Sequence, residues 1–143
     1  MTRGELRHVT SEADWEDYHA IREDVLWVAR GRVGVYDRSH PDEHADSNHP
    51  FVFVVDDEAI GVLRVDVRPP VAWFRRVAVR EDAQRRGHGR RMLELAMDFA
   101  RGAGCTEVRS NVDPDAVAFY HKLGFDERRG DATIESTPMG KKL

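Results

Sequence analysis

Gln84-Arg85-Arg86-Gly87-His88-Gly89 joins a β-rich run, Val71–Val79, to a stretch with helical spacing. Backbone at a helix start carries unpaired N–H groups and the positive end of the helix dipole, which suits a phosphate. Gly87 and Gly89 let the chain turn tightly and approach an anion where a Cβ would stand in the way. Arg85, Arg86, Arg90 and Arg91 add positive charge on both sides. The plain alternative is a strand-to-helix turn whose glycines serve geometry alone. The turn is neither a Walker loop, for it lacks Gly-Lys-Ser/Thr, nor a three-glycine dinucleotide fingerprint.

A second segment runs from Asn111 to Phe125, with Asn111 at a strand end and Phe119-Tyr120-His121-Lys122-Leu123-Gly124-Phe125 behind it. Ala116, Phe119, Leu123 and Phe125 stand at helical spacing and read as core, and Gly124 reads as the helix stop. Tyr120 differs from these. An unperturbed phenol titrates near pH ~10, so at neutral pH it is a proton donor.

The two segments together resemble the signatures of the GNAT superfamily of acetyl-CoA-dependent N-acyltransferases. Residues 84–89 match Q/R-x-x-G-x-G/A in full, and 111–125 match the Asn, then Ala, then Phe-Tyr-x-Lys-x-Gly-Phe of the second signature. The resemblance is strong over roughly 71–128 and weak over 1–50. It implies acetyl-CoA as co-substrate, no metal, and direct attack of an amine on the acetyl carbonyl. Gln84, Arg85, Arg86, Gly87, His88, Gly89 and Arg90 would hold the pyrophosphate, chiefly through main-chain amides. Asn111 and Phe119 would contact the cofactor arm, and Tyr120 would be the general acid toward the coenzyme A sulfur. Strand 71–79 should splay from strand 107–112, freeing main-chain groups of Val77 and Val79 for pantetheine and an N–H near Val77 for the thioester carbonyl.

At one position the sequence departs from many members. Their strand carries a Glu eleven residues before the loop Gln, and Trp73 stands there in this chain. No carboxylate occurs in 71–80, so a base must come from elsewhere, act through water or be dispensable; Asp66, His44 and Glu43 are the candidates considered. Trp73, Arg75 and Arg76 are the candidate acceptor contacts. Alternation along the strand sends Arg75 and Arg76 to opposite faces, where one could clamp an acceptor carboxylate or phosphate. An ion pair with a neighbouring strand is the competing expectation. The acceptor is a small-molecule or peptide amine, and a non-catalytic acyl-CoA-binding sensor is the alternative to an enzyme. The resemblance leaves oligomeric state open, with a homodimer among the options.

His40, Asp42, Glu43, His44, Asp46 and His49 gather zinc-ligand types, but their spacing matches no helical His-x3-His site, and Pro41 and Pro50 argue for a loop. Cys105 reads as a buried packing residue.

The elements that must position these groups follow from periodicity. Leu6–Val9 reads as a strand, and Ser11 with Asp14 starts an amphipathic helix reaching about Ala29. Residues 31–50 read as an irregular active-site loop. Phe51–Val55 and Ile60–Val67 form a hairpin across Asp56-Asp57-Glu58. Val71–Val79 is a strand, Arg90–Arg101 a helix, Glu107–Val112 a strand, and Asp113–Lys122 a short helix. Phe125–Arg128 with Ala132–Met139 closes as a hairpin. The order β-α-β-β-β-α-β-α-β-β describes one α/β (α+β) domain with a mixed, mostly antiparallel sheet and flanking helices.

Within 143 residues, 41% are apolar and 34% charged, a balance that supports a folded core without disulfides. Twenty-two basic against 26 acidic residues leave a formal charge of −4, which gives no electrostatic case for nucleic acid or an anionic membrane. A polar start, no long apolar run and a single cysteine lead to the expectation of a soluble cytoplasmic protein.

Overall fold

The computed structural model describes residues 4–27, 45–128 and 136–143. Among these residues seven strands form one sheet: β1 Glu5–His8, β2 Asn48–Val55, β3 Glu58–Arg68, β4 Val71–Val79, β5 Glu107–Val112, β6 Asp126–Glu127 and β7 Thr137–Lys142. Their spatial order is β1-β2-β3-β4-β5-β7-β6, and only β4 with β5 runs parallel. The helices are α1 Glu12–Arg22, α2 His88–Gly102 and α3 Val117–Lys122. The succession of elements and the mostly antiparallel sheet are those the sequence leads one to expect.

Local chemistry explains the joints. Ser11 caps α1 by accepting the Asp14 N–H at 3.1 Å. Asp56 and Asp57 both take positive φ, 51° and 64°, as a two-residue hairpin whose twist matches its strands requires. Several expected boundaries move: the closing strand runs Thr137–Lys142 against an expected Ala132–Met139, of which 132–135 lie outside the described residues, and α3 begins at Val117 rather than Asp113. Regular α1 stops at Arg22 and continues as a π-helical turn, Glu23–Trp27, whose wider winding brings Val25 and Leu26 against the cluster under α1. Strand β2 begins at Asn48 rather than Phe51, so Asn48–Pro50 are strand and not loop. Pro50 is tolerated there because its carbonyl accepts from Val9 N–H, just past the end of β1, so the missing donor costs no interior ladder bond.

The sheet carries a core on each face. Phe51, Phe53, Leu63, Val65 and Phe74 pack under Met92, Leu93 and Ala96 of α2, joined by Tyr120 of α3. Val52, Val54, Val62 and Ala78 pack under Tyr18 and Ile21 of α1.

One irregularity in β4 sets the geometry of everything near it. Arg64 pairs with Arg75 but Val62 pairs with Ala78, so β4 holds one residue more than β3 between those points. The extra residue is Arg76, at φ 55°. Simple alternation from Phe74 to Val77 therefore fails. Phe74 and Val77, three apart, both face α2, whereas Ala78 packs toward α1.

Gly102 lies in ordinary helical backbone with nothing within 4 Å of an added Cβ, while Gly104 has equal room but a φ of +89°. Gly102→Ala should stabilise the fold by about 0.4–1 kcal/mol by reducing unfolded-state freedom. Gly104→Ala should destabilise it by about 1–2 kcal/mol because an L side chain resists that conformation. Urea midpoints of the two variants, moving in opposite directions, are the check.

Candidate active site

Parallel pairing of β4 with β5 runs from Val71↔Glu107 to Phe74↔Ser110 and stops there, although both strands continue. At that fork the Ser110 hydroxyl donates to the Phe74 carbonyl at 3.1 Å, satisfying a group the ladder no longer pairs. Beyond it the strands diverge around a cavity of about 590 Å³. Phe119 and Tyr120 line it from the α3 side, and Leu26 from the turn after α1. It is therefore a slot through the sheet, with walls on both faces.

The turn between β4 and α2 closes one end. Arg85, at φ 63°, and Gly87, at φ 82°, are left-handed, a backbone form that aims successive N–H groups into a concavity for an anion. No side chain caps α2, and its first intrahelical bond runs from Arg91 N–H to the Gly87 carbonyl at 3.1 Å. The N–H groups of His88, Gly89 and Arg90 thus precede the helical ladder. The Gln84 amide anchors the turn by donating to the Val79 carbonyl at 2.9 Å. Gly87 is needed for its backbone angle. At Gly89 an added Cβ would make only ordinary contacts, 3.4 Å from Phe119 and 3.7 Å from Val79.

Of the residues singled out from sequence, Val77, Val79, Gln84, Arg85, Gly87, Gly89, Arg90, Asn111, Phe119 and Tyr120 line the slot, as does Arg76. Arg86 and His88 do not. The Nδ1 of His88 is buried without a hydrogen-bond partner among the described residues, and its ring lies 6.2 Å from that of Phe53, turned toward the core. Phe119 is 38% exposed and forms the slot wall, so its helical spacing with Leu123 and Phe125 does not make it core.

Tyr120 is only 5% exposed, set edge-on between the rings of Phe119, at 5.7 Å, and Phe125, at 5.1 Å. Burial pushes its hydroxyl up to about 12; the charge of Asp113 pushes the same way, and a hydrogen bond with Ser110 opposes both.

The alternate strand positions Trp73 and Arg75, before the bulge, lie on the α1 face, opposite Ala72 and Phe74. Trp73 carries the Arg75 guanidinium over its ring, 4.8 Å from the centroid, and the Arg109 guanidinium at 5.9 Å. Asp66 accepts from Arg64 through both oxygens, at 2.7 and 2.9 Å, and lies 3.6 Å from Arg75 Nε. The neighbouring-strand ion pair weighed for Arg75 is therefore present, and both oxygens of Asp66 are engaged by guanidinium groups. Glu43 and His44 lie outside the described residues, as do His40 and Asp42. His49 is in β2, its ring 5.5 Å from that of His8. Among the described residues no three metal-ligating side chains come together. No described helix is long and apolar enough to cross a membrane.

Sequence reasoning passed over Ser110 and Arg109. Ser110 is a polar residue at an inward position of β5 between Val108 and Val112, a signal strand alternation offered. Arg109 acquires meaning only through pairing with Trp73 across the parallel ladder.

The profile of the Acetyltransferase (GNAT) family matches residues 9–125. Glucosamine 6-phosphate N-acetyltransferase 1 of Oryza sativa subsp. japonica is 40% identical over 52 residues, which is 36% of this chain and about a third, 32%, of that protein. Among solved structures, PaiA N-acetyltransferase from Thermoplasma acidophilum in complex with coenzyme A superposes with TM-score 0.78 at 18% identity, over 99% of this chain and 100% of that one. An acyl-CoA N-acyltransferase from Pseudomonas aeruginosa gives 0.81 at 17%, over 97% and 98%. At these identities the structural likeness concerns the fold.

The buried phenol makes stability depend on alkaline pH. Tyr120 titrates near ~10 in the unfolded chain and at about 12 in the fold, so the folded state retains its proton longer. Its contribution is complete below pH ~10 and is lost as pH rises through ~12, amounting to about 2–3 kcal/mol. Tyr120→Phe should remove this component. Urea midpoints of the two proteins at pH 9 and 11.5 should diverge less for the variant; equal alkaline losses would refute the assignment.

Proposed function

The chain belongs to the acetyltransferase (GNAT) family, and we propose that it moves the acetyl group of acetyl-CoA onto the primary amine of a small molecule or peptide, as a cytoplasmic enzyme. One observation carries this reading: a slot between β4 and β5 has an uncapped, arginine-flanked helix start at one end and a buried, protonated phenol beside it.

The pyrophosphate of the co-substrate lies against the turn, held by the N–H groups around Gly87, Gly89 and Arg90 with Arg85 adding charge. Its pantetheine arm runs into the fork, where β4 main-chain groups past the bulge and Asn111 have no strand between them. The Val79 carbonyl is already taken by Gln84, so main-chain contact from that residue falls to its N–H. The amine nitrogen attacks the acetyl carbon, negative charge gathers on the carbonyl oxygen near the Val77 N–H, and the carbon–sulfur bond breaks. Tyr120 gives its proton to the departing thiolate and recovers one from the new ammonium. With Asp66 engaged by Arg64 and no carboxylate on β4, the acceptor ammonium gives its first proton to water and then reacts as the free amine.

Two variants test the reading. Tyr120→Phe should lower kcat by about 10²–10³, within the range general acids supply. Gly87→Ala, which must force a side chain into left-handed backbone, should raise the KM for acetyl-CoA with less effect on kcat. The wild-type pH–rate profile should climb to a plateau at the acceptor's own pKa and show no fall below pH ~10, because the acid stays protonated to about 12. Tight coenzyme A binding with no thiol release across a broad amine panel would instead make the chain a cofactor-binding module.

A further inference from the structure

The α1 face of the sheet just before the bulge carries a charge arrangement that the acyl-transfer chemistry does not use. Trp73, Arg75 and Arg109 share that face: Trp73 is paired with Arg109 on β5 and with Asp66 on β3, while Arg75 stands two residues on, opposite Arg64. Each guanidinium turns its Nε toward a carboxylate. That of Arg75 points at Asp66, 3.6 Å away, and that of Arg109 bonds to Glu107. Both also lie over the Trp73 ring. Stacking and Nε anchoring hold a guanidinium flat and leave its terminal nitrogens as a preset fork.

Those terminal nitrogens make no hydrogen bond among the described residues, and the two side chains are 32% and 35% exposed. The local carboxylates are already shared. Asp66 is bidentate to Arg64 before Arg75 approaches it, and Glu107 faces Arg128 at 3.8 Å as well as Arg109. Two guanidinium groups thus have charge and donors to spare.

Their place relative to the slot gives this a use. Arg75 adjoins Arg76, the slot-lining bulge residue, and Leu26 lines the slot from the same side of the sheet. At ~3.3 Å per strand residue, the Arg75 backbone is roughly 6–7 Å from that of Val77, where the thioester carbonyl is proposed to rest.

The geometry points to an anion subsite formed by Arg75, Arg109 and the Trp73 platform, which selects acceptors carrying a phosphate or carboxylate several bonds from the reacting amine. This inference rests on the proposed acyl transfer and adds the chemical class of the acceptor. The phosphate and the carboxylate share one requirement, an oxyanion able to take two parallel N–H donors.

The test uses matched acceptors: glucosamine 6-phosphate against glucosamine, and 5-aminopentanoate against its amide. The anionic member of at least one pair should show kcat/KM about 10- to 100-fold higher, the scale of charged hydrogen bonds. Whichever pair shows the preference tells phosphate from carboxylate. Arg75→Ala and Arg109→Ala should each collapse that ratio toward one, Arg75→Lys should restore it only in part, and added salt should shrink it. Equal use of both members, or a ratio that survives both alanine variants, would overturn the subsite.

A binding measurement separates this from failure of the enzymatic reading. The Nε–H resonances of Arg75 and Arg109 should shift saturably with glucosamine 6-phosphate or 5-aminopentanoate and not with their neutral partners. Such shifts in a protein that acetylates no amine would keep the subsite and remove the transferase reading. Resonances that stay still with both anions would remove the subsite.

Discussion

The single extra residue in β4 is the constraint on which the site depends. Adjacent strands stay paired only while their repeats agree, and Arg76 at φ 55° breaks that agreement in mid-strand. On the β3 side the ladder absorbs the insertion and resumes at Val62↔Ala78. On the β5 side it does not resume, and pairing ends at Phe74↔Ser110. A sheet interior that would have been filled by hydrogen bonds becomes a slot edged by the main chain of β4 and β5. The same insertion puts Val77 with Phe74 on the α2 core, so the local opening is compensated by an intact hydrophobic layer beneath it. A left-handed non-glycine residue costs of order 1 kcal/mol or more, and it persists because the pairing and packing on either side over-determine it.

Ser110 shows how such a fork is kept orderly. Its hydroxyl has one proton, directed at the Phe74 carbonyl, and lies close enough to Tyr120 to share a hydrogen bond. The last polar group of the ladder and the first polar group of the slot are thereby linked through a single small side chain. Burial of the phenol, rather than any one charge, dominates its acid strength, which ties the packing of Phe119 and Phe125 around it to its protonation.

Much of the architecture was legible because it follows from period and punctuation. The limits of β4 and β5, the Asp56-Asp57 hairpin and the Ser11 cap each have a local cause written in adjacent residues. So did the phosphate-suited turn, whose Arg85, Gly87, Gly89 and Arg90 line one slot with Asn111 and Tyr120. The bulge was not legible: an arginine in left-handed backbone leaves no mark in sequence, and simple alternation does not hold from Phe74 to Val77. Pro50 looked like a strand boundary because the fate of its missing donor depends on where a distant strand ends. Phe119 fitted a core pattern, since helical spacing marks a stripe without telling whether sheet or open space lies opposite. The Trp73, Arg75 and Arg109 grouping is likewise a product of register between β4 and β5, which no single segment encodes.

The slot is lined from both layers of the fold, by Phe119 and Tyr120 on one side and by Leu26 on the other. Under the proposed acyl transfer, two molecules approach the same point head-on, neither having to leave before the other arrives. On the proposed reading, donor and acceptor meet inside the thickness of the sheet itself. The chain then has no need to carry the acetyl group on a side chain of its own between two half-reactions. A passage through a sheet, in place of a pocket on its surface, removes the reason for a covalent relay.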